Sequence, residues 1–256
     1  MINMQKTQTV ILAAGEGKRM KSALPKVLIP LQNKPVIQYL LDSVRASGIS
    51  EKPCLVVGKN AGIVKKTLGP SYEYVFQRKR LGTGHALKMC RPFLEKRFDA
   101  VLTLYGDTPF VSAETLRHIQ NTHEKSGAVI TMTTFTPPDF KGWRDAFYHF
   151  GRVTRNAKGY LEAIIEYKDC TEEQKKIREL SLGYFVFEAD WLWKNINKLS
   201  NKNNQKEYFL VELVHHAVAQ NKKIETVSSV DSRKALGINT PEQLKVAERF
   251  LSKKYA

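Results

Sequence analysis

Long hydrophobic runs are scarce in this chain of 256 residues. No segment approaches the roughly 18 consecutive apolar residues that a membrane-spanning helix needs. The first eight residues, MINMQKTQ, contain no apolar core of a secretory signal peptide. These absences exclude a helical membrane protein and predict a cytoplasmic location without a membrane partner.

Cysteine is also rare, and the three cysteines, Cys54, Cys90 and Cys170, are far apart in the sequence. An odd number at such spacing is neither a disulfide framework nor a zinc-binding pattern. The six histidines form no H-x-x-x-H pair, and on a helix the adjacent His215 and His216 would diverge by about 100°. We therefore expect free thiols in a reducing compartment and no transition-metal centre built by the protein alone.

Acidic residues are outnumbered, with 25 against 41 basic residues and a net charge of +16. Such a surface attracts polyanions, either nucleic acid or small phosphorylated molecules. The lysine pairs are scattered, and no basic run interleaves with aromatic residues as it does in single-strand binders. We expect no nucleic-acid partner, and small phosphorylated substrates instead. Steeply salt-dependent binding to DNA or RNA would favour the other interpretation.

Strand-like and helix-like segments alternate through the first half of the chain, which predicts a mostly parallel sheet with helices on both faces. The second half contains shorter strands around a turn at residues 156–159 and three further helices. We expect one α/β domain over residues 1–256, with a nucleotide-binding part at about 7–136 and a smaller β-rich lobe with the C-terminal helices at about 137–256. Predicted strands are 9–13, 53–57, 73–76, 100–104, 127–135, 153–155, 161–166, 182–188 and 224–227; predicted helices are 36–46, 61–68, 84–89, 113–123, 191–199, 208–219 and 241–253.

The most informative segment is LAAGEGKRMKSA, residues 12–23, followed by LPKVL at 24–28. It follows an apolar run that is typical of a buried strand. Gly15 and Gly17 allow a sharp turn and a close approach of the backbone to a ligand. Backbone N–H groups together with Arg19 and Lys26 are what a polyphosphate needs. The spacing is neither that of a P-loop nor that of the G-x-G-x-x-G fingerprint, so we predict a different kind of triphosphate-binding loop.

A carboxylate, Asp107, closely follows a buried apolar strand, in Leu104-Tyr-Gly-Asp107. That position is the carboxyl edge of the sheet, where open α/β folds bind ligands. A carboxylate facing a triphosphate is repulsive unless a hard cation lies between them, and magnesium binds few carboxylates plus substrate phosphates. We predict Asp107 as a magnesium ligand. Asn239 could supply a neutral oxygen to the same ion, although alone it is also typical of a turn.

A third segment, QRKRLGTGHA at residues 77–86, joins a predicted strand to a predicted helix. The amide of Gln77 can read the donor and acceptor edge of a base, and the backbone at Gly82 can complete the contact. The Gly82-Thr83-Gly84 sequence is equally typical of a simple helix start.

These segments, together with FGRVT, IIEYKD and GIN at residues 150–154, 164–169 and 237–239, resemble the sugar-1-phosphate nucleotidyltransferases. They are most similar to the uridylyltransferase domain of the bifunctional GlmU enzymes, which make UDP-N-acetylglucosamine. The motifs occur in the order of that family and extend over nearly the whole chain. The resemblance implies a Rossmann-like α/β sandwich, a magnesium ion, and transfer of a uridylyl group from UTP to a sugar 1-phosphate, with release of pyrophosphate.

The resemblance also implies residue roles. It places Arg19 and Lys26 as catalytic cations and Asp107 and Asn239 as magnesium ligands. The nucleotide would contact Leu12, Ala14, Gly15, Gln77, Gly82 and Thr83. The sugar side of the cleft would be lined by Tyr105, Gly151, Glu166, Ser181, Phe209 and Val211.

The chain departs from the family pattern in the sugar pocket. The family has Ile-Asn-Thr-Gly where this chain has Leu180-Ser-Leu-Gly183, and Glu-Tyr-Tyr-Leu-Thr-Asp where it has Glu207-Tyr-Phe-Leu-Val-Glu212. Each lost hydrogen bond to a buried sugar group costs about 1–3 kcal/mol. N-acetylglucosamine 1-phosphate is the first choice of acceptor, and glucose 1-phosphate or a modified amino sugar is the alternative. A non-catalytic UDP-sugar binder is a further hypothesis.

The sequence also contains no counterpart of the acetyltransferase half of that family, a left-handed β-helix that builds the trimer. We expect either a stand-alone uridylyltransferase or a piece of a longer chain. The oligomeric state stays open at this point.

Overall fold

The fold was analysed in a computed structural model that describes residues 5–229 and 231–252. A mixed sheet of nine strands organises the molecule, and its main path runs in the order β11-β7-β10-β6-β1-β4-β5. A two-stranded ribbon, β2-β3, lies outside this sheet. The strands are β1 (Thr7–Ala13), β2 (Pro30–Leu31), β3 (Lys34–Pro35), β4 (Cys54–Val57), β5 (Glu73–Phe76), β6 (Ala100–Tyr105), β7 (Ile130–Phe135), β8 (Arg152–Arg155), β9 (Leu161–Ile165), β10 (Leu180–Glu188) and β11 (Ile224–Ser229).

Nine α-helices connect or flank the strands in the described residues, and 3₁₀ turns complete several of the loops. The helices are α1 (Val36–Ser47), α2 (Ala61–Leu68), α3 (Thr83–Lys88), α4 (Arg91–Leu94), α5 (Ala113–Ser126), α6 (Glu172–Lys175), α7 (Ala189–Asn195), α8 (Glu212–Ala219) and α9 (Pro241–Leu251). The 3₁₀ segments are Lys18–Met20, Lys26–Leu28, Gly142–His149, Tyr167–Asp169, Ile196–Lys198 and Ser232–Ala235.

The core lies on both faces of the sheet. Strand β1 alternates between them, with Ile11 in a cluster that includes residues of α1 and α5 and Val10 in a second cluster with residues of α3, α7 and α8. Because apolar side chains cover both faces, β1, β4 and β6 are almost entirely buried. Residues 10–13 of β1, all of β4 and most of β6 are apolar, as expected for strands buried on both faces. The α/β class and the mixed, mostly parallel sheet predicted from the sequence are confirmed.

Strand β10 makes the sheet mixed. It lies between β6 and β7 and is antiparallel to both, whereas β1 is parallel to β4 and β6, and β11 is parallel to β7. Strands β10 and β11 of the second half therefore return to the main sheet. The β8-β9 hairpin, which joins the sheet through one end of β10, is the part that departs from the main path. The division into two parts near residue 136 stays an interpretation.

Some predicted boundaries are wrong for identifiable reasons. The helix predicted from Tyr208 begins at Glu212, because the backbone of Tyr208 and Leu210 is hydrogen-bonded to residues 81–84 instead. The strand predicted from Gly127 begins at Ile130, because Gly127 ends α5 with a left-handed backbone. Helix α9 ends at Leu251, and Lys253, the predicted last residue, lies outside the described residues.

Two of the sequence-based exclusions have a structural counterpart. In the described part of the chain, no helix is both long enough and apolar enough to cross a bilayer. Cys54 and Cys90 are buried free thiols, and Cys170 is half-buried and also free.

Helix α9 begins as its sequence predicts, with Pro241 in the first turn and Thr240 as the N-cap. The Thr240 hydroxyl accepts a hydrogen bond of 3.3 Å from the backbone N–H of Gln243. The side chain of Gln243 in turn accepts one of 2.7 Å from the N–H of Asn239. The cap therefore holds the backbone of Asn239 in place.

We expect Thr240→Ala to lower the free energy of unfolding by about 1 kcal/mol, because the Gln243 N–H loses its partner. Thr240→Ser, which keeps the hydroxyl, is the matched control and should stay close to the unchanged protein. Urea denaturation measures both. Equal stability of the alanine variant and the unchanged protein would contradict this capping role.

Candidate functional site

The predicted phosphate loop and Asp107 lie at the same edge of the sheet because β1 and β6 are parallel neighbours. Leu12 is in register with Tyr105, so the two strands end side by side. One further hydrogen bond, from Gly106 N–H to Leu12 C=O at 3.0 Å, extends the pairing past β6. A Cβ at Gly106 would lie 3.1 Å from Val27, so the packing leaves little room for a side chain there. This register brings Ala14-Gly15 and Asp107 to one place.

The loop after β1 folds back on itself, and Gly17 makes this possible. Its φ of +62° is left-handed, and a Cβ there would lie 2.5 Å from the Cβ of Lys26. Only glycine accommodates both the conformation and the contact without strain. Val27 and Leu28 are buried and anchor the 3₁₀ segment that begins at Lys26. The Lys26 side chain consequently passes beneath Gly15, whose Cβ position lies 3.9 Å from Lys26 Cε.

Four of the predicted site residues meet at this edge. Lys26 Nζ lies 2.5 Å from Asp107 Oδ2 and 3.0 Å from Asn239 Oδ1. Arg19 donates to the same Asn239 oxygen at 3.3 Å. Asn239 reaches the cluster because Ile238 N–H donates to the Asp107 carbonyl at 2.9 Å. The structure thus unites residues that are up to 220 positions apart in the sequence.

The same cluster has the donor set of a magnesium site. The Lys26 ammonium contacts both a carboxylate and an amide oxygen, so a cation is already held by these two atoms. Hard oxygen ligands suit Mg²⁺, which takes few protein ligands and completes its shell with phosphates and water. No group of three or more His, Cys, Asp or Glu residues that could hold a metal is found within residues 5–229 and 231–252. Asp107 and Asn239 therefore fit a cation that completes its coordination shell with oxygen atoms of a substrate.

An ion pair connects the phosphate loop to the loop after β5. Arg80 lies 2.8 Å from Glu16, and both side chains are partly exposed. A pair of this exposure adds little stability. Its local effect is to place a cation beside the one carboxylate of the phosphate loop, between Gly15 and Gly17.

Gln77 directly follows β5 and is buried, only 3% exposed. Its backbone N–H donates to Val57 at 2.9 Å. Its side-chain nitrogen lies 3.2 Å from the Gly82 carbonyl and 2.9 Å from His85 Nδ1. The amide is therefore fixed on one side of the loop that Gly82 and Thr83 complete.

The loop at residues 81–84 is also bonded to the segment before α8. Gly84 N–H donates to Tyr208 C=O at 2.7 Å, and Tyr208 N–H donates to Leu81 C=O at 2.8 Å. A Cβ at Gly82, where φ is +108°, would lie 2.5 Å from the Tyr208 carbonyl oxygen. Thr83 Oγ1 accepts from Leu210 N–H at 3.0 Å. This ladder couples Gly82 and Thr83 to the segment that carries Phe209 and Val211.

Tyr105 lies at the junction of the two halves. A Cβ at Gly183 would lie 2.3 Å from the Tyr105 ring, so the ring packs directly on that backbone. Gly183 has a left-handed φ of +76° within the irregular part of β10 between Ser181 and Phe185. The Ser181 hydroxyl accepts from Gly183 N–H at 3.2 Å, so this side chain supports the irregular backbone under Tyr105.

A cavity of about 360 Å³ separates β9 from the segment before α8. Glu166, Phe209 and Val211, three of the predicted sugar-side residues, are among its lining residues. Gly151 lies beside it, since a Cβ there would be 3.9 Å from Glu166 Oε1. A larger cavity, of about 710 Å³, is lined by residues at the opposite ends of β1, β4 and β5, and none of the predicted site residues lines it.

Leu12 and Ala14 differ from the other predicted residues because both are apolar and half-buried at the end of β1. The Ala14 carbonyl lies 2.8 Å from the Cβ position of Gly58, so the loop is closely packed on that side as well. Because their side chains are apolar, Leu12 and Ala14 can form hydrogen bonds with a ligand at this edge only through their backbone groups.

Sequence reasoning missed two residues that shape the site. His85 contacts Gln77, and its only sequence signal was its position in the LGTGHA segment. Arg152 is fully buried and donates to carbonyl oxygens of Tyr148 and Phe150. Its guanidinium also lies 5.4 Å from the centre of the Tyr167 ring, which fixes the residue next to Glu166. No sequence pattern distinguishes this arginine from a solvated one.

Burial, together with the negative charges of Asp169 and Glu207, raises the pKa of Glu166 from 4.5 to about 7. Between these two values the native protein binds the proton more tightly than the unfolded chain does. This carboxyl group therefore lowers stability progressively as the pH rises from about 4.5 to about 7.

We expect Glu166→Gln to stabilise the protein at pH 8 more than at pH 5, because glutamine cannot ionise. Urea denaturation at both pH values measures the difference. Glu162→Gln, at an exposed position of the adjoining strand β9, serves as the control. An equal effect of Glu166→Gln at the two pH values would show that this carboxyl group titrates normally.

Comparison with solved structures supports the fold. A UDP-glucose pyrophosphorylase complexed with UDP-glucose superimposes with a TM-score of 0.76 at 15% sequence identity, covering 96% of this chain and 98% of that chain. A protein assigned as a glucose-1-phosphate thymidylyltransferase from Bacillus anthracis, solved with sucrose, gives a TM-score of 0.73 at 16% identity over 95% of this chain and 94% of that chain. The Rossmann-like nucleotidyltransferase fold expected from the sequence is confirmed.

Curated relatives are more similar in sequence. The bifunctional protein GlmU of Geobacillus thermodenitrificans is 37% identical over 248 residues, which are 97% of this chain and 52% of that protein. GlmU of Brevibacillus brevis is 35% identical over 251 residues, with 98% and 53% covered. The chain spans about half the length of these relatives. Residues 9–171, more than half of the chain, match the MobA-like NTP transferase domain, and this chain therefore belongs to the MobA-like NTP transferase domain family.

Proposed function

We propose that this protein transfers a uridylyl group from UTP to a sugar 1-phosphate, giving a UDP-sugar and pyrophosphate. The observation that carries the proposal is the meeting of Arg19, Lys26, Asp107 and Asn239 at the sheet edge beside the Gly15 loop. The similarity to GlmU proteins over 97–98% of the chain supports the same reaction. N-acetylglucosamine 1-phosphate is the first choice of acceptor.

Charge repulsion is the central difficulty of this reaction. A phosphate oxygen of the acceptor attacks the α-phosphorus of UTP, and pyrophosphate leaves. The attacking phosphate is already ionised near neutral pH, so the protein needs no general base. Fixed cations that offset the gathering negative charge are the main device for such phosphoryl chemistry.

Arg19 and Lys26 supply those cations. Arg19 presents a planar fork that binds phosphate oxygens in pairs, whereas Lys26 acts as a point charge. Without substrate, Lys26 is neutralised by Asp107. A triphosphate on the Gly15 loop gives the ammonium a second anionic partner, so Lys26 is drawn toward the reacting phosphates.

Asp107 and Asn239 would hold Mg²⁺ together with oxygens of the substrates. When bound, the ion supplies positive charge that neutralises the phosphate oxygens. The Thr240 cap and the Ile238–Asp107 hydrogen bond keep the amide and the carboxylate in register.

Recognition of the two substrates is divided between the coupled loops. Gln77, Gly82 and Thr83 would contact uracil, with Leu12, Ala14 and Gly15 along the nucleotide. The acceptor would lie between Tyr105, Gly151, Ser181 and the cavity that contains Glu166, Phe209 and Val211. Ionised Glu166 accepts hydrogen bonds from sugar hydroxyl groups, and near pH 7 a substantial share of this carboxyl group is protonated.

The polar groups of the sugar side are the reason to keep a second candidate acceptor. The Ser181 hydroxyl is engaged by Gly183 N–H, and Phe209 and Val211 bring apolar groups to the cavity. These three residues offer fewer hydrogen bonds to a sugar than the amide, phenol and hydroxyl at the same positions in the family pattern. Glucose 1-phosphate or a modified amino sugar is the second candidate.

The direct test measures pyrophosphate release by the purified protein with UTP, Mg²⁺ and a panel of sugar 1-phosphates. We expect turnover with N-acetylglucosamine 1-phosphate, and the ratio of kcat/KM across the panel identifies the preferred acceptor. Binding of UDP-sugars without any turnover would favour the alternative hypothesis, a non-catalytic UDP-sugar binder. No turnover and no binding would refute the proposal.

We expect Asp107→Asn to lower kcat at least about 100-fold, the scale typical of losing one fixed electrostatic group at a reaction centre. The folded state should persist, because asparagine has the same shape. Asp190→Asn is the matched control, since Asp190 is exposed and follows β10 at the opposite edge of the sheet.

A second variant tests the role of Arg19. Arg19→Ala should lower kcat more than it raises KM. Near-normal kcat in both site variants would remove Asp107 and Arg19 from the mechanism.

A further inference from the structure

The side-chain amide of Gln77 has its two N–H groups directed at protein atoms. One points to the Gly82 carbonyl at 3.2 Å and the other to His85 Nδ1 at 2.9 Å. An amide nitrogen has two hydrogens to donate, so this end of Gln77 is fully used by the protein. The opposite atom, Oε1, has no hydrogen-bond partner among the residues that the structure describes.

The orientation of the amide follows from Gly82. A carbonyl oxygen only accepts hydrogen bonds, so the Gln77 atom next to it must be the NH₂ group. The same NH₂ group faces His85, which requires Nδ1 to accept. His85 is then the neutral imidazole with its proton on Nε2. If the ring were protonated, Nδ1 would also carry a hydrogen, and it would face an N–H group of the Gln77 amide.

We propose that His85 is a positioning residue which holds the Gln77 amide with its oxygen toward the base, and that it thereby selects uracil over cytosine. The inference rests on the proposed function, in which Gln77 contacts the base of UTP. His85 acts through Gln77 and does not itself touch the substrate.

The base chemistry explains the selectivity. Uracil presents an N–H at ring position 3, which donates to an acceptor such as Gln77 Oε1. Cytosine presents a lone pair at the same position, which repels that oxygen. If the amide turns over, its NH₂ group faces the base, and the preference is reversed. Whatever fixes the amide therefore fixes the choice between the two pyrimidines.

The surroundings of His85 favour the neutral ring. Burial and the positive charge of Lys88 both lower the pKa of His85 below 6.5. The ring borders a cavity of about 210 Å³ whose other lining residues include Lys88, Asn197, Leu199 and Tyr208. Lys88 is the charged side chain among these residues, and Tyr208 and Asn197 contribute neutral groups.

The experiment measures kcat/KM for UTP and for CTP in pyrophosphate release, and reports their ratio from pH 5 to pH 8. Titrations of the substrate phosphates and of Glu166 affect both nucleotides alike, so they cancel in this ratio. Protonation of cytosine at N3 toward pH 5 affects CTP alone, so the ratio in His85→Asn, which has no titrating ring at this position, is the baseline for the pH dependence. The variants are His85→Leu, which removes the acceptor; His85→Asn, which places an amide oxygen near the position of Nδ1 without a titrating ring; and Lys88→Gln, which removes only the neighbouring charge.

We expect His85→Leu to lower the UTP-to-CTP ratio about tenfold at pH 8, as expected for one lost hydrogen bond of about 1.4 kcal/mol. His85→Asn should retain most of the ratio and show only the pH dependence that protonation of cytosine causes. In the unchanged protein the ratio should fall at acid pH, where His85 gains a proton. Lys88→Gln should move this fall to higher pH without altering UTP use at pH 8.

A ratio in His85→Leu equal to that of the unchanged protein would overturn the inference, and so would a pH dependence in the unchanged protein no steeper than that in His85→Asn. Loss of folding changes kcat for both nucleotides together and leaves the ratio unaffected. Failure of the proposed function is distinguishable, because the unchanged protein would then release no pyrophosphate from UTP with any acceptor.

Discussion

The contact of the Lys26 ammonium with both Asp107 and Asn239 is the interaction on which the rest of the site depends. Lys26, Asp107 and Asn239 come from three segments that are far apart in the sequence, and this contact joins their side chains at one edge of the sheet. The positive charge of the Lys26 ammonium offsets the negative charge of the Asp107 carboxylate next to the Asn239 amide and the Gly15 loop. The loop at Gly17, the parallel register of β1 with β6, and the capped start of α9 each contribute one part of this arrangement.

A second constraint links the two substrates. Gly82 and Gly84 lack side chains where the backbone of residues 208–210 passes, and this close approach permits the hydrogen bonds that join the two segments. The residues proposed to contact uracil therefore form one unit with those proposed to contact the sugar. Tyr105, packed on Gly183, joins the neighbouring strands β6 and β10 of the main sheet. Movement of one substrate loop without the other would break several backbone hydrogen bonds.

Much of the fold followed from local pattern. The apolar runs of β1 and β6 predicted buried strands, and Thr240-Pro241 predicted the start of α9, because period and capping are local properties. The helix predicted from Tyr208 was wrong, because a distant loop competes for the backbone N–H groups of Tyr208 and Leu210. The position of β10 between β6 and β7 was equally beyond local pattern, since strand order depends on contacts between distant segments.

The sequence by itself determined the chemistry that is available: a glycine loop with Arg19 and Lys26, an aspartate after a buried strand, and a glutamine before a glycine turn. Residue type and spacing are sufficient for that, because they set charge, hydrogen-bonding capacity and backbone freedom. Only the tertiary structure decided which groups share a partner. Arg152 is buried among carbonyl oxygens and rings, Glu166 is desolvated near other carboxylates, and Gly82 and His85 together engage the amide nitrogen of Gln77. Each of these properties depends on neighbours that folding supplies.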